Sequence, residues 1–314
     1  MVDIPRHTIC VRTNGQTAAL KNGSVSVHSA ALDFIDVNPQ IAAYRRMVRG
    51  IEFDICELAS TTYFVARSYG KHFKAIPVFF GRQFHHSGIL VRADAGVTGP
   101  KDLEGKDVGV RAYSVTTGVW TRGILQEEYG LDCAKVRWHV NDEEHVEELI
   151  LPGNVVEWPG ATSLAEKMSS GELVAAFSGN AGLGQGAKVS EYTDLVPDAA
   201  AREIEWYRRT GILPFHGAIV IKDELVAQDP ALPRRLYDAF VASKDRYLAR
   251  LRAGEVKSAE DEKALAMMEL TGGDPLPYGF EANRTSLEAL HRYAEQQRII
   301  APGLSIVNLF YPLN

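Results

Sequence analysis

AIPVFFGRQFHHSGILV, residues 75–91, places two apolar runs on either side of a short polar insert. Both runs are rich in residues that favour strands, which predicts two buried strands that end or cross at the insert. Backbone that leaves a sheet edge is where binding groups are usually displayed. Because the insert carries Arg82, His85 and His86, the pattern predicts a polar, titratable pocket, with strand-end capping by the two imidazoles as the alternative.

The composition is that of an ordinary globular chain. Its 314 residues are 46% apolar and 24% charged, with a formal net charge of −6, and this length is enough for two lobes. The acidic balance argues against a nucleic-acid partner, because no basic stripe is present to neutralise phosphates. No window approaches the roughly 18 uncharged apolar residues of a membrane-spanning helix. We therefore expect neither nucleic-acid binding nor a membrane span.

Cysteine usage points to a reducing compartment. The three cysteines, Cys10, Cys56 and Cys133, have no metal-site spacing and form no disulfide framework. The N-terminal stretch has no apolar segment of signal-peptide length, so we predict a cytoplasmic protein. A chain trimmed of its leader would show the same pattern. The sequence leaves the oligomeric state open, and a homo-oligomer is compatible with it.

A strand, a turn rich in serine and threonine, and a helix follow one another twice. The first copy leads from a strand at 53–58 to Ser60 and Thr61, and the second from a strand at 108–110 to a helix at 119–129. The N–H groups and hydroxyls of such helix starts suit a carboxylate, although ordinary capping explains either copy alone. Two copies fit a dicarboxylate, or a ligand gripped from both sides. The second turn supplies Tyr113, Ser114, Thr116 and Thr117.

Two later segments are less regular. The glycine-rich stretch 178–186 lacks the downstream unit of a dinucleotide-binding fingerprint, and we interpret it as a flexible loop that could close over a ligand. The extended apolar run 207–217 holds a lone His216, and Pro214 favours an edge or crossover position over a central strand.

The alternation of strands and helices predicts an α/β fold around mostly parallel sheets. The stretches near Val91 and Gly211 are both extended and apolar, which predicts two lobes joined by two crossover strands, with a central cleft. Residues 1–91 and 211–314 would form lobe I, and residues 92–210 lobe II. Ligands of open α/β sheets bind beyond the carboxyl ends of the strands, where the polar turns would meet.

Six stretches, in order over nearly the whole length, resemble the 4,5-dihydroxyphthalate decarboxylase family. They are FDICELAST, AIPVFFGRQFHHSGILV, GPKDLEGKDVGV, VWTRGILQEEYG, TGILPFHGAIVI and DPLPYGFEANR. The resemblance implies the two-lobed, type-2 periplasmic-binding-protein fold and a cofactor-independent decarboxylase of a hydroxylated aromatic acid. The chain departs from the family at three places that would touch substrate: TNGQT at 13–17, His85-His86, and the RAYS turn at 111–114. Fold and reaction class therefore follow more firmly than substrate identity.

Decarboxylation of a hydroxylated benzoate requires protonation of the ring carbon that bears the carboxylate, and an imidazole with a pKa near 7 suits that transfer. We predict His86 as the proton donor, His216 as the group that polarises or deprotonates a ring hydroxyl, and Glu57 as the residue that orients a histidine. A purely structural imidazole is the alternative for His216. The predicted substrate-binding residues are Asn14, Thr17, Ser60, Thr61, Arg82, His85, Tyr113, Ser114, Thr116 and Thr117.

Alternatives remain for the chemistry and for the function. His85, His86 and His216 with Glu57 or Asp54 could bind a metal, but adjacent histidines on an extended chain point to opposite sides, so we predict no metal and no cofactor. A non-catalytic solute-binding protein for a small aromatic or carboxylate ligand stays open, because the same fold serves transport, although the missing export signal counts against it. An enzyme that consumes its own histidine as substrate has no positive signal.

Overall fold

The computed structural model describes residues 4–158, 160, 162–179, 182–183 and 191–313. The glycine-rich segment predicted to form a loop therefore lies mostly outside the described residues. Within the described ranges, no helix is long and apolar enough to cross a membrane. The three cysteines are buried free thiols.

Strands and helices alternate along the chain, which confirms the predicted α/β class. The strands are β1 (Arg6–Cys10), β2 (Ala31–Phe34), β3 (Ile55–Ala59), β4 (Phe73–Phe80), β5 (Ile89–Arg92), β6 (Asp107–Val110), β7 (Arg137–Val140), β8 (Val155–Glu157), β9 (Ala175–Phe177), β10 (Tyr192–Asp194) and β11 (Gly217–Lys222). The helices are α1 (Ala18–Lys21), α2 (Gln40–Gly50), α3 (Ser60–Ser68), α4 (Thr116–Tyr129), α5 (Leu164–Ser170), α6 (Ala199–Thr210), α7 (Asp223–Gln228), α8 (Leu232–Arg252), α9 (Ala259–Thr271) and α10 (Arg284–Gln296).

The chain forms two compact units, and each is discontinuous in sequence. The first unit comprises Met1–Arg82, Phe215–Arg284 and Ser305–Asn314, and the second comprises Gln83–Pro214 and Thr285–Leu304. The predicted lobes instead assign residues 83–91, 211–214 and 285–304 to lobe I. As domain bounds, the predicted lobes stay a prediction.

The first unit holds a five-stranded sheet in the order β2-β1-β3-β11-β4. β1 runs parallel to β2 and β3, so the carboxyl ends of β1 and β3 lie at the same edge. β11 lies between β3 and β4 and runs antiparallel to both. Pro214 was predicted to mark an edge or a crossover, and the chain passes from the second unit to the first between Pro214 and Phe215, whereas β11 itself is a central strand. β11 begins at Gly217, three residues after the proline, so the missing N–H of Pro214 is not required by the ladder.

The second unit holds a six-stranded sheet in the order β10-β5-β9-β6-β7-β8. β9, β6, β7 and β8 run parallel, whereas β5 runs antiparallel to β9 and β10. In each sheet, the strand that follows a passage from the other unit is therefore antiparallel to its neighbours. The expectation of mostly parallel sheets missed these two returning strands.

The polar insert predicted from residues 75–91 connects the two sheets. β4 ends at Phe80 in the first sheet, and β5 begins at Ile89 in the second. Apolar residues of the first sheet pack against Leu236 and Phe240 of α8, and their burial holds the sheet edges in fixed positions. The prediction of two buried strands that end at the insert is confirmed.

Two helices start earlier than the sequence pattern predicts. α3 begins at Ser60, directly after β3, and α4 begins at Thr116 rather than at Val119. Ser60 and Thr61 therefore lie in the first helical turn and not in a preceding loop. α4 ends as predicted at Gly130, which adopts a left-handed conformation with φ of 68°.

The packing of α4 on α10 gives a stability prediction. A Cβ on Gly123 would lie 2.2 Å from carbon atoms of the buried Tyr293 ring. We expect Gly123→Ala to lower the free energy of unfolding by about 1–3 kcal/mol, because the ring has to move. Gly50→Ala at the end of α2, where a Cβ meets open space, is the control and should be neutral or stabilising by up to about 1 kcal/mol. Chemical denaturation measures both; equal effects would contradict the close contact.

Candidate functional site

Glu57 is a buried carboxylate in β3 of the first unit. Its Oε1 accepts hydrogen bonds from Nε and Nη2 of Arg12 at 2.9 and 2.5 Å, and its Oε2 accepts the Arg12 backbone N–H at 3.1 Å. The hydroxyl of Tyr44 donates to Oε1 at 3.3 Å. A buried carboxylate requires such partners, because it has lost its hydration. The observed contacts fix Glu57 to Arg12 and Tyr44, and its predicted role of orienting a histidine stays a prediction.

Arg12 was missed by sequence reasoning, although it stands directly before the polar turn at 13–17. Burial is the largest single influence on the pKa of Arg12 and lowers it, but the charges of Glu57 and Tyr44 and the hydrogen bond to Glu57 together outweigh burial, so the pKa lies above its usual range. Arg12 therefore carries a permanent positive charge. The Arg12 side chain is 42% exposed, whereas that of Glu57 is fully buried.

The turn after β1 uses the polar groups of Asn14 and Thr17 internally. Asn14 Oδ1 accepts the backbone N–H groups of Gln16 and Thr17 at 2.9 and 3.1 Å, and the Thr17 hydroxyl donates to the carbonyl of Arg12 at 2.7 Å. Gln16, which was not predicted, donates through its amide to the Tyr278 hydroxyl at 2.8 Å. These bonds hold the backbone around Arg12 in place, and direct substrate binding by Asn14 and Thr17 stays a prediction.

His216 lies between the ends of two strands. Its backbone N–H donates to the carbonyl of Phe80 at 2.8 Å, and its backbone carbonyl accepts the N–H of Ser60 at 2.7 Å. Gly81 has φ of 70°, and a Cβ there would lie 2.8 Å from the Cβ of His216. The missing side chain of Gly81 is therefore what allows His216 to occupy this position.

Gly217, the residue after His216, passes close to the Glu57 side chain. A Cβ on Gly217 would lie 3.3 Å from Glu57 Oε1. Ser60, at the end of the neighbouring β3, has a buried hydroxyl that makes no hydrogen bond within the described residues, and Thr61 is fully buried beside it. The structure thus brings Glu57, Ser60 and His216 together at one edge of the first sheet.

Arg82 is committed to its own unit. Its Nη2 donates to the carbonyl of Pro277 at 2.8 Å and to Oδ1 of Asn283, and its guanidinium lies 5.4 Å from the ring centroid of Phe215. Burial lowers the pKa of Arg82 to about 9. A bidentate grip on a carboxylate uses Nη2, so it would displace one of these bonds. Asn283 was not predicted, although it lies in the DPLPYGFEANR stretch.

His86, in the second unit, is buried against α6. Its backbone N–H donates to Glu203 Oε1 at 3.1 Å, and its ring Nδ1 lies 3.9 Å from the same oxygen. The His86 ring packs against the Trp206 ring, with 5.3 Å between the ring centroids. Burial, with a smaller contribution from the charge of Arg202, lowers the pKa of His86 to about 4. At neutral pH an imidazole with this pKa is uncharged, and the role of His86 as proton donor stays a prediction.

His85 is buried on the same insert and contacts α4. Its carbonyl accepts a hydrogen bond from the Thr121 hydroxyl at 3.3 Å. A Cβ on Gly88 would lie 2.6 Å from that hydroxyl oxygen, so the glycine permits the close packing of the insert on the helix. The role of His85 in binding substrate stays a prediction.

The turn before α4 already binds a carboxylate of the chain itself. Glu144 Oε1 accepts the N–H of Tyr113 at 2.5 Å, both Glu144 oxygens lie 3.2 Å from the N–H of Ser114, and the Ser114 hydroxyl donates to Oε2. Burial raises the pKa of Glu144. The predicted preference for a carboxylate is consistent with this contact, but a substrate would have to displace Glu144. Substrate contacts of Tyr113 and Ser114, and of Thr116 and Thr117 in the first turn of α4, stay predictions.

Arg122 of α4 supports this turn from within the second unit. It is fully buried, with Nη2 donating to the carbonyl of Tyr113 at 2.5 Å and Nε to Gln297 at 2.7 Å. Its guanidinium lies 4.1 Å from the ring centroid of Tyr113. Burial lowers the pKa of Arg122. Sequence reasoning missed this residue, because its position on the helix gives no sign of a buried cation.

Metal ligands do not cluster in the described ranges. No group of three or more His, Cys, Asp and Glu side chains is placed there to hold a metal ion. Asp54, one of the ligands considered, precedes β3 and binds the ammonium of Lys222 at 3.0 Å and the N–H of Thr8 at 2.9 Å. The expectation of a reaction without metal or cofactor stays a prediction.

Comparison with solved structures shows the fold. The periplasmic aliphatic sulphonate binding protein SsuA from Escherichia coli matches 98% of this chain and 97% of its own, with a TM-score of 0.55 and 10% sequence identity. This similarity confirms the predicted periplasmic-binding-protein architecture and carries no information about the ligand.

Comparison of sequences shows the family. No protein-family model matches the chain. A 4,5-dihydroxyphthalate decarboxylase from Comamonas testosteroni is 30% identical over 320 residues, covering 97% of this chain and 96% of the relative. One from Pseudomonas putida is 33% identical over 199 residues, covering 60% of this chain and 76% of the relative. Because the first similarity runs from end to end, the chain belongs to the 4,5-dihydroxyphthalate decarboxylase family and is an enzyme of the carboxy-lyase type.

Proposed function

We propose that the protein decarboxylates a hydroxylated aromatic dicarboxylic acid such as 4,5-dihydroxyphthalate, without a cofactor and in the cytoplasm. The observation that carries this proposal is the end-to-end similarity to the Comamonas testosteroni enzyme. The chemistry of the first sheet edge supports it, because the Arg12 guanidinium binds the buried Glu57 there, and Ser60, with a buried hydroxyl, meets the backbone of His216. A solute-binding protein is the alternative that the decarboxylase relatives disfavour.

The reaction breaks the bond between a ring carbon and its carboxylate. Electron density from a ring hydroxyl favours protonation of that carbon, and the bonding pair of the departing CO₂ stays in the ring. We assign the proton to His86, and the polarisation or deprotonation of the hydroxyl to His216. Because the pKa of His86 is about 4 in the ligand-free protein, the negative charge of a bound substrate is what would favour its protonated form.

The carboxylate that remains on the ring needs hydrogen-bond donors. Ser60 and Thr61 at the start of α3 are proposed for this role, and the buried Ser60 hydroxyl supports it. The carboxylate that leaves is better placed away from cations, because a strong ion pair would stabilise it before CO₂ is lost. The division between a held and a released carboxylate fits a substrate with two of them.

Release of CO₂ tests this function directly. We expect CO₂ from at least one member of a panel of hydroxylated benzene dicarboxylates, and none from unsubstituted phthalate, which has no hydroxyl to donate electrons. The rate should be the same with and without EDTA, because no metal takes part. Tight binding of the panel without CO₂ release would instead indicate a solute-binding protein, and loss of activity in EDTA would contradict the metal-free mechanism.

The position of His216 can be tested through Gly81. Gly81→Ala should lower kcat about 100-fold, because its methyl group would displace the His216 backbone and side chain. Gly70→Ala is the matched control, since Gly70 also has a positive φ, 75°, but a Cβ there meets nothing within 4 Å. Both variants should lose about 1–2 kcal/mol of stability from backbone strain. Equal kcat values in the two variants would remove His216 from the mechanism.

A further inference from the structure

Arg12 presents one side to a buried carboxylate and the other to solvent. Nε and Nη2 are used on Glu57, and Nη1 makes no hydrogen bond within the described part of the chain. The side chain is 42% exposed, so it is open to contact with a ligand. The ion pair holds the guanidinium in one orientation, which reduces the conformational entropy that a ligand contact would otherwise cost.

Two other arginines near the predicted site residues, Arg82 and Arg122, are less suited to a ligand. Nη2 of Arg82 binds Pro277 and Asn283, and its Nε is buried. Arg122 is fully buried and holds the carbonyl of Tyr113. Arg12 is therefore the cation among the three that combines a fixed orientation with exposed donors.

The topology places Arg12 with the other polar groups of the first sheet edge. Arg12 follows β1 and Ser60 follows β3, and these two strands are parallel neighbours whose carboxyl ends share an edge. Gly217, the residue after His216, approaches the same oxygen of Glu57 that Arg12 binds. Arg12 and Ser60 thus lie at the same sheet edge as the buried Glu57, and the His216 carbonyl accepts the N–H of Ser60 there.

We propose that Arg12 binds the carboxylate that the aromatic substrate retains, and that Glu57 is the residue that positions it. The inference rests on the proposed function and names the substrate-recognition residue of that site. Nη1 of Arg12 can donate a hydrogen bond to a ligand carboxylate oxygen while Nε and Nη2 stay on Glu57. The retained carboxylate is the partner assigned to Arg12, because a strong ion pair to the departing one would oppose the loss of CO₂.

The test compares ligands that differ by one carboxylate. 3,4-Dihydroxybenzoate is what remains when 4,5-dihydroxyphthalate loses one CO₂, and catechol has the same hydroxyls without a carboxylate. In the double variant Arg12→Gln, Glu57→Gln, the Kd for 3,4-dihydroxybenzoate should rise roughly 10- to 100-fold, and the Kd for catechol should stay within about twofold. The double variant removes both charges, so no buried carboxylate is left unpaired. Isothermal titration calorimetry measures both constants.

The matched control is another arginine–carboxylate pair of the same sheet. Arg6 and Asp33 form an exposed pair at the amino end of β1, and the double variant Arg6→Gln, Asp33→Asn should leave both Kd values unchanged.

If the double variant Arg12→Gln, Glu57→Gln does not fold, the single variant Arg12→Lys gives the readout. It keeps the ion pair but loses the planar fork, and should weaken 3,4-dihydroxybenzoate about tenfold with catechol unchanged.

Equal changes for the two ligands, or no change for 3,4-dihydroxybenzoate, would overturn the role of Arg12. Failure of the proposed function looks different. A wild-type protein that binds 3,4-dihydroxybenzoate through Arg12 but releases no CO₂ from 4,5-dihydroxyphthalate would refute the decarboxylase activity and leave the carboxylate site standing.

Discussion

The pairing of Glu57 with Arg12 is the interaction on which the polar edge of the first sheet depends. A carboxylate in a fully buried strand is costly unless its oxygens are bound, and removing one partner of such a pair costs about 3–5 kcal/mol. Arg12 comes from the turn after β1, and Tyr44 comes from α2, so one side chain ties two other elements to β3. The arrangement fixes a charged group next to the start of α3, where Ser60 and His216 also meet.

The second unit follows the same rule with different residues. Glu144 satisfies the amides of Tyr113 and Ser114, and Arg122 fastens the Tyr113 carbonyl from inside the unit. Both units therefore carry buried charges next to the start of a helix that follows a strand. In the first unit the cation keeps exposed donors, whereas in the second the amides already hold a carboxylate of the chain. This difference is why we propose the substrate carboxylate site at the first sheet edge.

Much of the fold could be predicted from the sequence, because its signals are local. The apolar runs on either side of the insert predicted β4 and β5, and Gly130 predicted the end of α4. The position of β11 in the sheet could not be predicted from local sequence, since its neighbours β3 and β4 are distant in sequence.

The partners of the site residues are equally distant in sequence: Glu57 lies 45 residues from Arg12, Glu144 lies 30 residues from Ser114, and Asn283 lies 201 residues from Arg82. The lowered pKa of His86 follows from its burial, which no pattern of neighbouring residues reveals.

Arg12, held by Glu57, is the group that we propose to recognise the aromatic acid. The most direct measurement is a crystal structure with phthalate, a dicarboxylate that lacks the hydroxyls needed for turnover. We expect one ligand carboxylate within about 3 Å of Arg12 Nη1 and of the Ser60 hydroxyl, with the Arg12 bonds to Glu57 intact. Phthalate bound away from Arg12, or an Arg12 side chain that has left Glu57 to reach it, would contradict the account.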